Sequence, residues 1–349
     1  MDSFYVFVYK EALEVLKNFR ECVEQNKKKD PKKDYDLKNL REDLRKDIIK
    51  EIIKNTTISP TCETHENNKE VYNFDFENKR RTANAVLGEI REGYTKLGYK
   101  VIDLKFKTKK NFIVGTRQGP LYLVFEVGLS WDPILDLPFI PGSSLKGAIR
   151  SYMLDLCRTK EEKDTTVEEK KDEIKKCVEN VVSLFGVPTR DEEIARLAGY
   201  ESSIVSEEGS EGLAIFSDAY PIDFSDTYGL LTPDIITPHY YKGGEVVDNE
   251  FNAQPTPITF LTVAPEVTFR SIIAVSGEGE KYVKELSEMF FGNSNSYSLV
   301  PFILFAFTMG IGAKTSRGYG EFDLADFEIK GVSENKARRS ALGVKKLEE

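Results

Sequence analysis

The stretch from Gly310 to Gly320 constrains the fold most, because two Gly-x-Gly pairs bracket five residues that include two cations and two hydroxyls. An apolar segment precedes this stretch and an alternating apolar–polar segment follows it, which predicts a helix, a tight loop and a strand in that order. The glycines permit positive φ angles and close backbone approach. Between them, backbone amides and the side chains of Lys314, Thr315, Ser316 and Arg317 supply donors that suit a sugar-phosphate ligand.

Two nucleotide-binding motifs do not match this stretch. A P-loop requires a glycine, four residues and then Gly-Lys-Ser/Thr, yet Thr308 and Ala313 stand at the two glycine positions. A Rossmann fingerprint fails because Thr315 stands where the third glycine belongs. A tight turn between two core elements, with no ligand at all, remains open as an alternative.

Length and charge narrow the class of protein. The 349 residues suffice for about two domains or one elaborated domain. A formal net charge of −9 argues against a protein that coats nucleic acid with its whole surface, although a local basic groove stays possible. The N-terminus lacks a basic region followed by a signal-like apolar segment, and no apolar run reaches bilayer length, so we expect a cytoplasmic protein.

The cysteines and histidines predict no metal or cofactor. Four cysteines lie far apart without a C-x-x-C pair, which indicates neither a zinc site nor a disulfide framework and fits a reducing cytosol. Only two histidines, His65 and His239, are present. Asp218, Asp223 and Asp226 are spaced as in turns, so a metal cluster is not predicted from them.

Residues 1–97 are predicted to form a helical N-terminal extension, which is followed by one α+β domain with insertions over residues 98–332. Apolar residues recur at helical spacing between residues 12 and 19, between 40 and 53, and along Glu77–Leu97. These faces indicate packing or contact with a partner protein.

From Tyr99 the apolar period changes to two, which predicts a strand with Lys105 and Lys107 on one side. Residues 100–117 contain six cations and one aspartate. Contact with RNA and a merely solvated face are both open interpretations of this basic strand.

Pro141-Gly142 predicts a turn into a helix with Ser143 as its N-cap. Lys146 and Arg150 lie four residues apart and therefore on one side of that helix. Cations in the first turns oppose the helix dipole, whereas an anion bound at the helix start would offset the penalty. This placement favours a phosphate at the start of the helix.

The remaining chain completes an α+β order of elements. Residues 258–263 and 267–275 are predicted to form a β-hairpin, and helices follow at 281–291 and 299–309. This order of strands and helices is compatible with a ferredoxin-like, RRM-like sheet packed by helices.

Several motifs resemble known proteins. The Gly310–Gly320 loop is similar to the glycine-rich signature of the RAMP superfamily of CRISPR proteins, and Phe139–Arg150 resembles that superfamily's helix-opening motif. Gly212–Pro221 and Thr237–Tyr241 resemble the family of sixth subunits of type III-B Cmr effector complexes. The resemblance covers roughly residues 100–330. Residues 333–349, which include five cations, are predicted to form a mobile tail.

The resemblance implies a non-catalytic RNA-binding subunit that caps the backbone filament near the 3′ part of the guide RNA. The implied partners are guide and target RNA, a backbone RAMP subunit, a small helical subunit and another terminal RAMP subunit. Guide pairing would supply sequence specificity, with the protein contacting backbone and shape. The RNA-binding residues implied by the motifs are Ser143, Ser144, Lys146, Arg150, Gly312, Lys314, Thr315, Arg317 and Tyr319. The basic strand and the histidine near the second Cmr-like motif add Lys105, Lys107 and His239 to this prediction.

Two alternatives remain open. Related RAMP proteins cleave RNA, for which His239 could act as a general base, or Asp132 and Asp136 could support metal-assisted cleavage. A cap that ends the filament through protein contacts alone is the other alternative. The RNA-binding interpretation further predicts that the glycine loop and the Ser143–Lys146 helix start converge in space.

Overall fold

A computed structural model describes residues 76–116, 125, 127–159, 167–187, 209–237, 241–242, 245–246, 257–292 and 298–331, together with residues 3, 4, 6, 8 and 10. The helices are α1 (Phe76–Lys96), α2 (Gly142–Arg158), α3 (Val167–Phe185), α4 (Gly279–Phe291) and α5 (Val300–Met309). The longer strands are β1 (Lys100–Thr108), β6 (Ala214–Phe216), β7 (Tyr220–Asp223), β8 (Leu231–Ile236), β11 (Ile258–Val263), β12 (Thr268–Val275) and β13 (Phe322–Lys330). Short two-residue strands are β2 (Trp131–Asp132), β3 (Leu137–Pro138), β4 (Gly186–Val187), β5 (Ser210–Glu211), β9 (Tyr241–Lys242) and β10 (Glu245–Val246).

The central sheet is antiparallel, with β1 between β13 and β12 and with β6 and β7 both beside β12. Taken along the chain, β1, α2, β6–β7, β12, α5 and β13 follow a β-α-β-β-α-β order. The predicted α+β, ferredoxin-like fold with insertions is therefore confirmed. The insertions carry α3 with β4 and β5, the β8–β11 region, and α4.

One face of the sheet forms an aromatic core with α5. The Phe106 ring lies 4.7 Å from Phe307 of α5 and 5.1 Å from Phe322 of β13, measured between centroids. Helix α2 buries Leu145, Ile149 and Met153, which recur at helical spacing. The alternation along β1 thus directs Phe106 to this core and the lysines to the opposite face.

Helix α1 covers the opposite face. It buries Ala83 and Leu87, and the Asn84 carbonyl accepts a 2.9 Å hydrogen bond from the Arg270 guanidinium on β12. Arg270 also donates to both carboxylate oxygens of Asp103, at 2.8 and 2.7 Å. This buried ion pair and helix leave the middle of the sheet closed to solvent, unlike an open RRM-type platform for bases.

The predicted hairpin over 258–275 is wrong in its pairing. β11 pairs with β8, while β12 pairs with β1, β6 and β7. The strands diverge because the chain after β1 hydrogen-bonds between them: Phe112 pairs with Val263, and the Thr108 amide donates to the Val267 carbonyl.

The expectation that no cysteines are paired is also wrong, because Cys157 of α2 and Cys177 of α3 form a disulfide with their Cα atoms 5.7 Å apart. The partners are 20 residues apart in the chain and meet only because α2 packs against α3. The spacing of the cysteines in the sequence does not predict a contact between two packed helices.

None of the helices in the described ranges has the length and apolar character needed to cross a bilayer.

Candidate nucleic-acid interface

The backbone conformation of the loop between α5 and β13 requires glycine at two positions. Gly312 and Gly320 have φ angles of +95° and +72°. A Cβ at Gly320 would lie 2.0 Å from the Ile311 carbonyl oxygen, and one at Gly312 would lie 2.4 Å from the Ile113 carbonyl oxygen. The loop is therefore a tight, specified structure in which side chains at these two positions cannot fit.

A single 3₁₀ turn, Thr315–Arg317, forms the tip of the loop. Lys314 precedes it in the left-handed conformation, at a φ of 63°. The amides of Lys314, Thr315 and Ser316 donate to no acceptor among the residues that the structure describes. An oxyanion could accept hydrogen bonds from these amides, which are among the donors predicted from the sequence for a sugar-phosphate ligand.

Two exposed cations flank the tip. Arg317 is exposed, and the Lys110 ammonium lies over Gly318, 2.8 Å from the position that a Cβ there would occupy. Within the described ranges neither cation is part of an ion pair. We call Lys110, Gly312, Ser316 and Arg317 the loop surface. Lys110 was absent from the predicted site residues, although the basic run that ends β1 was the signal that could have identified it.

Lys314 points into the protein. Its ammonium lies 3.5 Å from the centroid of the Phe260 ring and has no hydrogen-bond partner in the described structure. Burial, with a smaller contribution from Arg317, lowers the pKa of Lys314 to about 8 even though Asp234 acts in the opposite direction. A lysine that binds phosphate is expected to point into solvent, so the inward orientation of Lys314 differs from the predicted one.

Tyr319 and Thr315 also contact the protein itself. The Tyr319 hydroxyl donates to the Asp234 carboxylate, and burial together with this bond raises the pKa of Tyr319. The methyl group of Thr315 packs against Gly310, 2.9 Å from the position of a Cβ. A stacking role for Tyr319 would therefore use the ring alone.

A carboxylate of the same chain, that of Asp218, lies at the start of α2. The helix begins at Gly142, whose amide donates to the Asp218 carboxylate at 2.7 Å. Ser143 lies in the first turn and is exposed, so the prediction that it caps the helix is wrong; the cap position is Pro141. The Ser144 and Leu145 amides donate to the Pro141 carbonyl. Asp218 thus provides the negative charge that the helix dipole favours.

Lys146 and Arg150 contact backbone carbonyls of neighbouring elements. The Lys146 ammonium donates to the Ala214 carbonyl of β6 at 2.8 Å, and Arg150 donates to the Gly186 carbonyl at 3.4 Å, just after α3 ends. Burial, followed by the charge of Arg150, lowers the pKa of Lys146. Both cations therefore contribute to packing, and Arg150 also complements the carboxyl end of the α3 dipole.

The lysines of β1 face acidic residues of β13. Lys105 forms a 3.1 Å ion pair with Asp326, and Lys107 is in register opposite Asp323. These cross-strand charges offset much of the positive potential that the β1 sequence predicts.

The glycine loop and the start of α2 are linked indirectly, so their convergence into one RNA-binding cradle stays a prediction. Hydrogen bonds connect them through two intervening segments: the Ala313 amide donates to Ile113, the Ser130 amide to Val114, and the Phe139 amide to Ser130. Among the described residues in and around the two motifs, only the loop surface combines exposed cations with adjacent amides that donate to no described acceptor.

Comparison with known proteins identifies the family. The sequence profile of the RAMP superfamily matches residues 124–323, which is more than half of the chain. The chain belongs to the RAMP superfamily. The resemblance drawn from the glycine loop and the helix-opening motif is confirmed.

Two curated relatives refine the likeness. The CRISPR system CMR subunit Cmr6 of Saccharolobus solfataricus is 29% identical over 240 residues, covering 69% of this chain and 63% of the relative. Cmr6 of Pyrococcus furiosus is 31% identical over 248 residues, covering 62% and 66% respectively. The chain thus spans slightly less than two thirds of each relative.

A solved structure supports the fold of this RAMP protein. A chain from the cryo-EM structure of the type III-B Cmr-beta bound to cognate target RNA matches with a TM-score of 0.53 and 23% identity. The match covers 94% of this chain and 92% of the other.

The aspartates considered for RNA cleavage in this RAMP chain have structural partners. Asp136 is buried and accepts bonds from the Phe4 amide at 2.6 Å, the Trp131 indole at 2.9 Å and the Lys79 ammonium. Asp132 accepts bonds from the Ile134 and Leu135 amides and from the Tyr220 hydroxyl. No three potential metal ligands meet within the described ranges, and His239 lies outside them.

Proposed function

We propose that this RAMP protein is a non-catalytic RNA-binding subunit of a type III-B CRISPR ribonucleoprotein of the Cmr kind. The likeness to two Cmr6 proteins supports the assignment to such a complex. As its partners we propose guide and target RNA, a backbone RAMP subunit, the small helical subunit and a second terminal RAMP subunit. In this assembly the chain ends the backbone filament near the 3′ part of the guide, in the cytoplasm.

The loop surface is the observation on which the RNA-binding part of the proposal depends. It combines two exposed cations, Lys110 and Arg317, with the free amides of the adjacent turn on a backbone held by glycines. Contacts of this kind bind phosphates without reading bases, which is the role left to a protein when guide pairing supplies specificity. Among the other predicted residues, exposed Ser143 and Lys107 stay as proposed secondary contacts.

A salt titration of RNA affinity tests this proposal. We expect Lys110→Ala combined with Arg317→Ala to weaken binding of the full chain to a single-stranded guide-sequence RNA. The slope of log K against log salt should decrease by roughly 1.4, because each lost phosphate contact changes it by about 0.7. Guide retention in the reconstituted complex should decline in parallel.

Lys175→Ala combined with Lys176→Ala is the matched control, since it removes two exposed cations from α3 instead. An equal loss in this control would indicate general electrostatics in place of a site. Unchanged guide retention in the Lys110 and Arg317 variant would favour a cap that acts through protein contacts alone.

A ribonuclease role has less support, because the carboxylates of Asp132 and Asp136 are already occupied by protein donors. Labelled guide and target RNA incubated with complexes carrying Asp132→Asn or His239→Ala would test it. A specific cut that disappears in either variant while the complex still assembles would overturn the non-catalytic assignment.

A further inference from the structure

Beneath the tip of the glycine loop lies a cluster of side chains that joins the loop to the β8–β11 pair. Asp234 of β8 accepts hydrogen bonds from the Asn111 side chain at 2.7 Å and from the Tyr319 hydroxyl. Phe260 of β11 lies against the Lys314 ammonium. The cluster thus connects residues on both ends of the turn to an insertion outside the central sheet.

Asp234 is held as a carboxylate in this cluster. Burial alone would raise its pKa, but bonds from Tyr319, Asn111 and the Ile235 amide, together with the charge of Lys314, lower it overall. The Ile235 amide donates to its other oxygen at 2.7 Å. A charged acceptor with several donors fixes the positions of those donors more tightly than a neutral one would.

Lys314 has a conformation that needs support. Its φ of 63° is uncommon for a residue with a side chain and is less favourable than the right-handed conformation. The ammonium lacks a hydrogen-bond partner in the described structure, and the face of the Phe260 ring is its closest cation-binding group, with the Tyr319 ring at 5.7 Å. The side chain therefore acts as an inward anchor, and the amides of the two residues that follow it, Thr315 and Ser316, donate to no acceptor in the described structure.

We propose that Asp234 and Lys314 are positioning residues that set the geometry of the loop, so that Arg317, Lys110 and the free amides contact the RNA backbone while Lys314 does not. This inference rests on the proposed RNA-binding function and deepens it. It gives the β8–β11 insertion a role in recognition and reassigns Lys314 from a ligand of phosphate to a support for the residues that bind it.

The sign of the effect of Asp234→Asn on affinity distinguishes positioning from electrostatics. Removal of a negative charge near RNA should strengthen binding if the carboxylate acts only through its field. If Asp234 positions the loop, affinity should instead fall roughly fivefold or more, since one charged hydrogen-bond acceptor is lost. Asp226→Asn, in the exposed turn before β8, is the matched control and should leave affinity unchanged or slightly higher.

Lys314→Met supplies the second measurement. The salt slope of this variant should equal that of the wild type, whereas a direct phosphate contact by Lys314 would make the slope smaller by about 0.7. Amide hydrogen exchange of residues 310–320 in the full chain without RNA should accelerate in Asp234→Asn and not in Asp226→Asn. If the melting temperatures of Asp234→Asn and Asp226→Asn equal that of the wild type, global unfolding is excluded as the cause of faster exchange.

Two outcomes would overturn the inference: an Asp234→Asn protein whose affinity is unchanged or higher, or a Lys314→Met protein with the smaller slope. Either can occur while the Lys110 and Arg317 variant still loses RNA, in which case the proposed function stands and the positioning role fails. If the Lys110 and Arg317 variant binds RNA normally, the proposed function fails, and the exchange measurement still tests whether Asp234 holds the loop.

Discussion

At the scale of single residues, three of the cations in the predicted RNA-binding motifs contact the protein itself. Lys146, Arg150 and Lys314 are cations that the sequence singles out for RNA, and each directs its charge to a carbonyl or an aromatic ring. Burial depresses the pKa of Lys146 and Lys314, which indicates that holding them charged has a cost. Exposure and the absence of a counter-charge, rather than residue type, are therefore the criteria by which we propose the contact residues.

Two glycines from the two motifs should respond oppositely to substitution by alanine. Gly320→Ala should destabilise the protein by on the order of 2 kcal/mol or more, because its φ is positive and a Cβ would collide with the Ile311 carbonyl. Gly147→Ala should stabilise it by roughly 0.5–1 kcal/mol, because this position lies within α2 and nothing is within 4 Å of a Cβ there. Chemical denaturation of the two variants measures both effects. A neutral Gly320→Ala would contradict the loop geometry described above.

At the scale of elements, local patterns were predictable and long-range pairings were not. Helical spacing identified α1 and α2, and alternation identified β1 with its core-facing Leu104 and Phe106. The pairing of β11 with β8 joins residues 22 to 32 apart in the chain. The bond from Gly142 to Asp218 and the bond from Tyr319 to Asp234 join residues 76 and 85 apart. Such contacts depend on the completed fold, which periodicity and motif spacing do not encode. The loop was therefore recognised, whereas the orientation of Lys314 within it was missed.

The disulfide between α2 and α3 gives a prediction about these two elements. Reduction, or Cys157→Ser combined with Cys177→Ser, should lower the free energy of unfolding by roughly 3 kcal/mol, because the bond closes a loop of 20 residues in the unfolded chain. Denaturation with and without reductant measures the change. Because a disulfide has no free thiol, thiol labelling of the unreduced protein after denaturation should leave this pair unmodified. Modification of all four cysteines under those conditions would refute the pairing.

At the scale of the whole molecule, α1 is integrated with the domain that the family profile covers. It covers the sheet face opposite α5, and its Arg91 contacts both Asp103 and Glu328. Phe4, near the N-terminus, packs on Trp131 with ring centroids 4.7 Å apart. A division between residues 1–97 and 98–332 follows the change of sequence period, yet the contacts of α1 cross that boundary.

A truncation tests that division directly. A chain beginning at residue 98 would expose the surface under Leu87 and leave Arg270 without its Asn84 partners. We expect it to aggregate, or to melt without a cooperative transition, because buried apolar area and satisfied polar groups are both lost. A chain beginning at residue 76 retains α1 and is the matched control. If the shorter chain unfolds cooperatively at the temperature of the longer one, the extension is an independent unit.

The carboxylate of Asp218 at the start of α2 has a consequence for how such sequences are interpreted. Asp218 accepts from the first amide of α2, and Lys146 and Arg150 donate to backbone carbonyls of the same chain. These polar groups of the Phe139–Arg150 motif therefore have partners without any nucleic acid. A protein could lose every RNA contact and still require these residues for its architecture. The presence of this motif in another chain is therefore evidence of its family and fold. Which ligand that chain binds has to be tested at its exposed charges that have no partner within the protein.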